Sequence, residues 1–280
     1  MAGAVVWLTH PEPDRCEAAP AVTQPPTSPP MLAPPVATQA SPLPTVEPQP
    51  VVAGEARYYA FSSGVACSYE PLPLDGFYVG MSTPEYGRAE PCGAVLDIHG
   101  PRGDVRALVV DRCPGCAPGQ LDLSTAAYDQ IADRHDGVAK ITYSVVRNPD
   151  PPPELHYEVK PDASPEWFAI LFTGTGNPLR EAAIRPADGG PWQDLTRGMD
   201  NYWTVSGAGG GPFAARVTDI HGNQAEVFGI SLEPGLRPTG AHLYLVPPPP
   251  TSSLAPITSP SSFAAAPKPQ PGVTRPTGCR

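Results

Sequence analysis

The chain has 280 residues, of which 42 are proline, and its formal net charge at pH 7 is −10. This share of proline is about three times the ordinary one. Proline lacks a backbone donor and fixes φ, so the regions richest in proline cannot form helices or central strands. The acidic balance argues against nucleic acid or an anionic membrane as partner and favours a neutral ligand. The absence of an apolar run of 18 residues excludes a transmembrane helix.

The prolines are concentrated at the two ends of the chain. Residues 1–53 hold 13 of them and residues 247–280 hold 10. Neither end carries enough apolar residues to offset the entropy of ordering, so we predict two disordered, proline-rich tails with those bounds. Within the first tail, Met1–Leu8 is an apolar run with no preceding basic residue. Two interpretations stay open, the remnant of an export signal and an ordinary apolar terminus.

The first half of the region between the tails is mainly a pattern of short strands. Ala94–His99 alternates polar and apolar residues, meets a turn at Gly100–Gly103, and is followed by a second strand at Val105–Asp111. One helix is predicted after the N-cap Ser124, and Lys140–Arg147 follows it as another alternating strand. We therefore predict a mixed, mainly β first domain at 54–147.

A proline-rich linker at 148–155 leads to a second domain at 156–246. This second domain contains seven short strand-like segments separated by Gly, Pro, Asn or Asp turns, a spacing typical of a β-sandwich. The segments are HYEVK, FAILF, EAAIR, WQDL, NYWTVSG, FAARVTDI and QAEVFGI.

Four of the six cysteines lie close together in the first domain. Two disulfides are expected, which also implies an exported protein. Three connectivities are possible, and we favour Cys67–Cys92 with Cys113–Cys116. Cys16 and Cys279 lie in the tails and stay unassigned.

The CxxC pair has three interpretations: a structural bridge, a redox pair and a metal site. Zinc needs about four ligands, and the sequence offers neither a second CxxC nor a nearby Cys/His cluster. Thioredoxin-type redox chemistry needs a helix through the second cysteine, which Ala117-Pro118-Gly119 interrupts. We favour the structural bridge and expect no metal and no cofactor.

Two aspartates flank the CxxC loop in apolar surroundings. Asp111 ends the segment VVD, and Asp122 is the centre of LDL. Apolar surroundings raise the pKa of a carboxyl, which then stays protonated as an acid. A capping or arginine-paired aspartate is the competing interpretation for each, although Ser124 is the more obvious helix cap.

The chain resembles a known two-domain family in these same segments. GEARYYAFSSGVACSY, CGAVLDIHGPRG, VVDRCPGC and LDLSTAAYDQIA resemble the six-stranded double-psi β-barrel of expansins and expansin-like proteins. HYEVKPDASPEWFAI, MDNYWTVSG and RVTDIHGN resemble the second expansin domain, an immunoglobulin-like β-sandwich classed as carbohydrate-binding module family 63. The domain order and the short linker match as well.

This resemblance implies a secreted, monomeric protein of the extracellular space or cell wall. Such a protein would bind cellulose or a related neutral β-glucan and loosen it without hydrolysis. Asp122 corresponds to the aspartate on which activity depends, and Asp111 to an aspartate that lines the same groove. Arg57 and Tyr59 stand where threonines are expected, so polysaccharide contact at that end is expected through Tyr58 or Tyr59.

The barrel also resembles that of family 45 glycoside hydrolases, which use an acid and a water-activating base. Asp122 corresponds to the acid, but Ala60 and Phe61 occupy the place of the base, and the next acid is Glu70. An acid without its base does not activate water, so we predict a non-hydrolytic protein. A weak endoglucanase or a peptidoglycan lytic transglycosylase using the same groove is the alternative.

The second domain of the family binds cellulose through a row of aromatic rings, which suit the apolar faces of sugars. Trp167 is in register with one ring, and Glu166 replaces its neighbour. A third ring falls in MDNYWTV, where we favour Tyr202 over Trp203, because a core position is the competing interpretation for Trp203. Lys160 matches a lysine beside this row.

Overall fold

The computed structural model describes residues 49–245, which form two β domains. The apolar run at 1–8, Cys16, Cys279 and nearly all of the two predicted tails lie outside these residues. The first strand begins at Val52, inside the range predicted as the first tail. No helix of the described part is long and apolar enough to cross a membrane.

The first domain is a closed barrel with the strand order β1-β5-β2-β4-β3-β6, which confirms the predicted six-stranded barrel. Its strands are β1 (Val52–Tyr59), β2 (Tyr78–Ser82), β3 (Val95–Gly100), β4 (Gly103–Cys113), β5 (Gln120–Ser124) and β6 (Ala139–Val145). β1 pairs with β5 and β2 with β4 in parallel, and the other neighbours are antiparallel. Alternate residues point inward, so apolar side chains fill the interior of the barrel.

Three short helices accompany the barrel strands. They are α1 (Thr83–Tyr86), α2 (Thr125–Ile131) and a 3₁₀ helix (Arg134–Asp136). The Ser124 hydroxyl accepts a hydrogen bond from the backbone N–H of Ala127 at 3.3 Å, which is the predicted N-cap. Helix α2 buries Tyr128 and Ile131 against the barrel strands, so its apolar face fixes the position of the β5–α2 junction.

The second domain is a sandwich of two antiparallel sheets. Its strands are β7 (His156–Val159), β8 (Trp167–Thr173), β9 (Leu179–Pro186), β10 (Gln193–Asp194), β11 (Thr196–Arg197), β12 (Trp203–Ser206), β13 (Phe213–Asp219), β14 (Gln224–Ile230) and β15 (Gly235–Pro238). The sheet orders are β11-β12-β8-β7-β15 and β10-β9-β13-β14. Strand β15 was not predicted, because its sequence GLRP lacks a buried apolar alternation.

The barrel packs against the five-stranded sheet of the sandwich. Strand β8 is buried on both faces: Phe168 and Phe172 face the sandwich core, whereas Leu171 faces the barrel. Leu171 belongs to the same apolar cluster as Cys67 and Val110 of the barrel. The two domains therefore share an interface that excludes water as a domain core does.

The linker is held by polar contacts and by one apolar side chain. The side-chain amide of Asn177 donates to Asn148 at 2.7 Å and to Asp219 at 2.6 Å, which joins the start of the linker to the sandwich. Leu155, which we had placed in the linker, is fully buried in the sandwich core. These contacts anchor both ends of the segment, so its geometry depends on more than its prolines.

Two disulfides are present in the barrel, and they are the two pairs favoured from the sequence. Cys67–Cys92 is buried and joins the segment before β2 to the segment before β3. Cys113–Cys116 closes a turn at the end of β4.

We expect the shared interface to contribute strongly to stability. Leu171→Ala removes a fully buried side chain and should lower the free energy of unfolding by about 2–5 kcal/mol, as other buried leucines do. Leu74→Ala is the matched control, because Leu74 is 72% exposed. Urea unfolding of both variants measures the difference. Equal stability of the two variants would contradict a tightly packed interface.

Candidate functional site

Four residues form one row across the adjacent strands β1, β5, β2 and β4. Arg57 is paired with Asp122, and Gly80 is paired with Asp122 on one side and Asp111 on the other. Adjacent strands are ~4.8 Å apart, so the two aspartate Cα atoms stand roughly 10 Å apart. A Cβ at Gly80 would lie 3.6 Å from the Cβ of Asp111. Gly80 is buried, and any side chain at this position would occupy the space next to Asp111.

Asp111 is fixed by the backbone around it. Its Oδ1 accepts hydrogen bonds from the N–H of Ala66 at 2.9 Å and of Arg112 at 2.8 Å. The side chain is half-buried. These two bonds hold one carboxylate oxygen in place and leave the other as an acceptor that faces the row.

Asp122 is half-buried, and its ionisation is disfavoured. Burial raises the pKa of Asp122 above its ordinary value, and the negative charge of Asp111 raises it further, while Arg57 acts in the opposite direction. Leu121 and Leu123 are fully buried inside the barrel, on the other face of β5. Asp122 can therefore donate a hydrogen bond at a pH at which an ordinary aspartate only accepts one.

The Cys113–Cys116 disulfide lies beside Asp122. The two sulfur atoms and a carboxylate oxygen of Asp122 all lie within 4.8 Å of one another. Pro114 and Gly115, which complete this turn, are exposed. The disulfide therefore forms a compact wall of the groove at its Asp122 side.

Tyr59 lies on the same face of β1 as Arg57, two residues further along the strand. Burial raises the pKa of the Tyr59 phenol, and the charges of Asp111 and Asp122 raise it further, so all three side chains occupy one site. Among residues 49–245, the Tyr59 hydroxyl has no hydrogen-bond partner. The Tyr59 ring meets Phe61 edge-on, with centroids 6.2 Å apart. The hydroxyl is also buried from solvent.

Tyr58, the other tyrosine predicted for this end, lies elsewhere. Neighbouring residues of a strand point to opposite faces, so Tyr58 points away from the row. Its ring packs on Tyr128 at a centroid distance of 4.9 Å, and its hydroxyl donates to the carbonyl of Arg134 at 3.4 Å. The structure thus assigns Tyr59, and not Tyr58, to the groove.

A second part of the site surrounds Trp167 at the start of β8. Trp167 is half-buried, and the Lys160 ammonium lies 5.9 Å from the centroid of its ring. Lys160 also lies 4.6 Å from the ring centroid of Tyr202 and 3.1 Å from a carboxylate oxygen of Asp200. Lys160 is therefore a positioned side chain rather than a solvated surface charge.

Tyr202 and Trp203 are not exposed stacking rings. Tyr202 is 7% exposed, because its ring packs into the cluster between the domains, and its hydroxyl donates to Glu158 at 3.2 Å. Trp203 is 4% exposed in the sandwich core, with the Arg197 guanidinium 4.4 Å from its ring centroid. Of the aromatic residues predicted for this surface, Trp167 keeps part of its ring accessible.

Tyr86 connects the two parts of the site, and no sequence pattern points to it. Its hydroxyl lies 2.9 Å from the carbonyl oxygens of Ala66 and Met199, one in each domain. Burial raises the pKa of Tyr86, and the charges of Asp111 and Asp200 raise it further. The carboxylate of the groove and the carboxylate paired with Lys160 thus flank one hydroxyl, so the groove and the Trp167 region adjoin.

Two curated proteins are similar to this chain over more than half of its length, although no family model matches it. Expansin-YoaJ of Bacillus subtilis is 29% identical over 164 residues, which cover 57% of this chain and 69% of that protein. Expansin-like protein 2 of Dictyostelium discoideum is 28% identical over 176 residues, which cover 58% of this chain. The chain spans only 42% of the Dictyostelium protein.

Two crystal structures of Clavibacter michiganensis expansin are similar to the described fold. The apo structure is 34% identical with a TM-score of 0.66. A point mutant in complex with cellohexaose is 33% identical with a TM-score of 0.65. Each comparison covers 70% of this chain and 99% of the solved one, so it includes both of its domains.

The raised pKa of Asp122 predicts a pH-dependent effect of Asp122→Asn on stability. Below the unfolded-state pKa of about 3.9, Asp122 is protonated in both states and does not affect the free energy of unfolding. As the pH rises from there through the higher folded-state pKa, Asp122 lowers that free energy. The Tm of the variant should therefore exceed that of the wild type at pH 7, by about 2–4 °C at most, and the two should converge near pH 3.

Asp129→Asn is a control that should change the Tm in the opposite direction. The Arg134 guanidinium hydrogen-bonded to Asp129 holds the pKa of that carboxyl below its ordinary value. Its loss should lower the Tm slightly at pH 7, because exposed ion pairs contribute little, and this difference should shrink as the pH falls below about 3.9 and through the lower folded-state pKa. Calorimetry from pH 3 to 7 measures both variants. A difference for Asp122→Asn that is the same at every pH would contradict the assigned environment.

Proposed function

The chain belongs to the expansin family, and we propose that it binds cellulose or a related neutral β-glucan and loosens it without hydrolysis. The observation that carries this proposal is the row of Asp122, Gly80 and Asp111, two carboxyls with no side chain between them, which adjoins the Trp167 region. We further propose that the protein acts as a secreted monomer in the extracellular space or at a cell wall. The two disulfides in the barrel support export.

Recognition of the polymer is proposed to begin at Trp167. An indole ring stacks on the apolar face of a pyranose without any charge, which suits a neutral ligand for a protein of net charge −10. Lys160 beside the ring would hydrogen-bond sugar hydroxyls from the edge. A crystallised relative holds cellohexaose, a neutral β-glucan oligomer, which supports this ligand class.

The groove is proposed to act by exchanging hydrogen bonds with the polymer. Asp122, in its protonated form, would donate to a sugar oxygen, and Asp111 would accept from a hydroxyl; the raised pKa of Asp122 favours that form. Each of these bonds would replace one that the glucan chain makes to its neighbour in the wall. One hydrogen bond contributes about 0.5–1.5 kcal/mol net of competition with water, so the bonds of one site would compensate for chain-to-chain bonds that the glucan loses.

The positions of the acidic residues other than Asp122 support the proposed absence of hydrolysis. Ala60 and Phe61 occupy the place where related hydrolases carry the base. Glu70 lines a different cavity of about 510 Å³, beside Pro149 and Leu236, whose lining does not include the row. Asp111 is thus the second carboxyl of the groove. The alternative is an inverting hydrolase that uses Asp111 as its base. Inversion needs two carboxyls roughly 6.5–9.5 Å apart, and the Cα atoms of Asp111 and Asp122 stand roughly 10 Å apart across one strand.

We expect Trp167→Ala to weaken binding to crystalline cellulose by about tenfold, because it removes the accessible stacking ring. Trp192→Ala is the matched control, because Trp192 lies on the other sheet of the sandwich, between the guanidinium groups of Arg185 and Arg216. Depletion isotherms on cellulose, xylan, chitin and peptidoglycan measure both variants. Equal losses in the two variants would contradict recognition at Trp167.

We expect Asp122→Ala to keep cellulose binding within about threefold and to lose wall loosening, because alanine has no group that donates to a sugar oxygen, whereas Asp122→Asn, which keeps a donor, should retain part of it; the measurement is extension of a cellulose–xyloglucan composite under constant load. Neither the wild type nor either variant should release reducing sugar or muropeptides. Sustained release by the wild type that disappears in both Asp122→Asn and Asp111→Asn would establish a hydrolase instead. Muropeptide release alone would establish the peptidoglycan-cleaving alternative.

A further inference from the structure

Three groups that can bind a metal ion meet at the wall of the groove. The Sγ atoms of Cys113 and Cys116 and a carboxylate oxygen of Asp122 lie within 4.8 Å of one another. The Cys-x-x-Cys spacing is the one that zinc sites use, and the two Cα atoms are 5.4 Å apart. In the disulfide form the sulfur atoms are bonded to each other, so neither is a thiolate.

The two disulfides of the barrel differ in their access to solvent. Cys67 and Cys92 are buried in the cluster between the domains. Cys113 is partly exposed, and the turn that it opens contains the exposed Pro114 and Gly115. Thiol–disulfide exchange requires a thiolate to reach a sulfur atom, so an external dithiol will reduce Cys113–Cys116 before Cys67–Cys92.

We propose that the reduced Cys113–Cys116 pair and Asp122 form a binding site for one soft divalent cation, such as Zn²⁺. Thiolates are preferred ligands of such ions, a carboxylate is an accepted third ligand, and water would complete a tetrahedral site. The external dithiol supplies two electrons and two protons to the S–S bond and becomes a disulfide itself. The cation then displaces the two thiol protons, which pass to solvent.

Charges next to the three ligands fit this assignment. Asp111, across Gly80, adds a negative charge that attracts a cation, and Arg57 is the one positive side chain of the row. Oxidation would release the ion, because it removes both thiolates at once. This makes the site conditional on redox state, which separates it from a permanent structural zinc site.

Metal binding would also affect the groove, an inference that rests on the proposed function. A cation on Asp122 would occupy the carboxyl that is proposed to contact the polysaccharide. Wall loosening by the reduced protein should then fall when Zn²⁺ is added and return when a chelator removes it. Loosening by the oxidised protein should be insensitive to Zn²⁺ at the same concentration.

The site itself is tested without any polysaccharide, by Co²⁺ titration of the full-length chain. The chain should carry Cys16→Ser and Cys279→Ser, so that cysteines of the two ends contribute no thiolate. Limited treatment with a dithiol, followed by its removal, should leave Cys113 and Cys116 reduced, as peptide mass spectrometry of alkylated protein verifies. We expect thiolate-to-Co²⁺ charge-transfer absorption that saturates at one equivalent and is abolished by Zn²⁺. The oxidised protein should show none.

Variants identify the ligands. Cys113→Ser should at least halve the charge-transfer intensity, because one thiolate remains, and Asp122→Asn should weaken Co²⁺ binding by at least about 10-fold, because a direct ligand contributes no less than the outer-shell groups whose loss costs roughly 10- to 100-fold. Asp104→Asn, an exposed carboxyl at the start of β4, is the matched control and should change nothing. No band in the reduced protein would overturn the site, and unchanged affinity in Asp122→Asn would overturn its third ligand. Neither result bears on cellulose binding, which the depletion isotherms measure separately.

Discussion

The pairing of β2 with β4 on one side and with β5 on the other determines the arrangement of the groove. These pairings align Asp111, Gly80 and Asp122 in one row across three strands. Barrel closure pairs each strand on both sides, so a shift of one residue would turn every side chain of a strand to the other face. The two carboxyls therefore keep their separation without a contact between them, and the glycine places no side chain between them.

The second constraint is the burial of β8 on both faces. The strand has the sandwich core on one face and the barrel on the other, so the Trp167 region is positioned relative to the groove. Tyr86 marks the junction, with one carbonyl acceptor from each domain. A long polymer could bridge the two parts only if this junction is rigid. The polar contacts of the linker serve the same end, since they hold Asn148 against the sandwich.

Individual residues show why the site was only partly predictable. Apolar surroundings predict a raised pKa for Asp122, and burial is its main cause, but the further contribution of Asp111 depends on a residue that is distant in the chain. Tyr58 and Tyr59 were equivalent candidates, and the strand alternation separated them. Tyr202 has the sequence context of a surface aromatic, yet the packing of the barrel against the sandwich buries it.

The sequence by itself determined the mainly β class, the order of two domains, the helix cap at Ser124 and the family. The class, the domain order and the cap follow from local patterns, because turn residues, strand alternation and capping groups act within a few positions of one another, whereas the family follows from the resemblance of whole segments. Only the tertiary structure decided which aspartate faces which neighbour, that the CxxC disulfide lies against Asp122, and which aromatic ring stays accessible. Each of these depends on strand register or on packing between domains, and both arise from contacts between residues far apart in the chain.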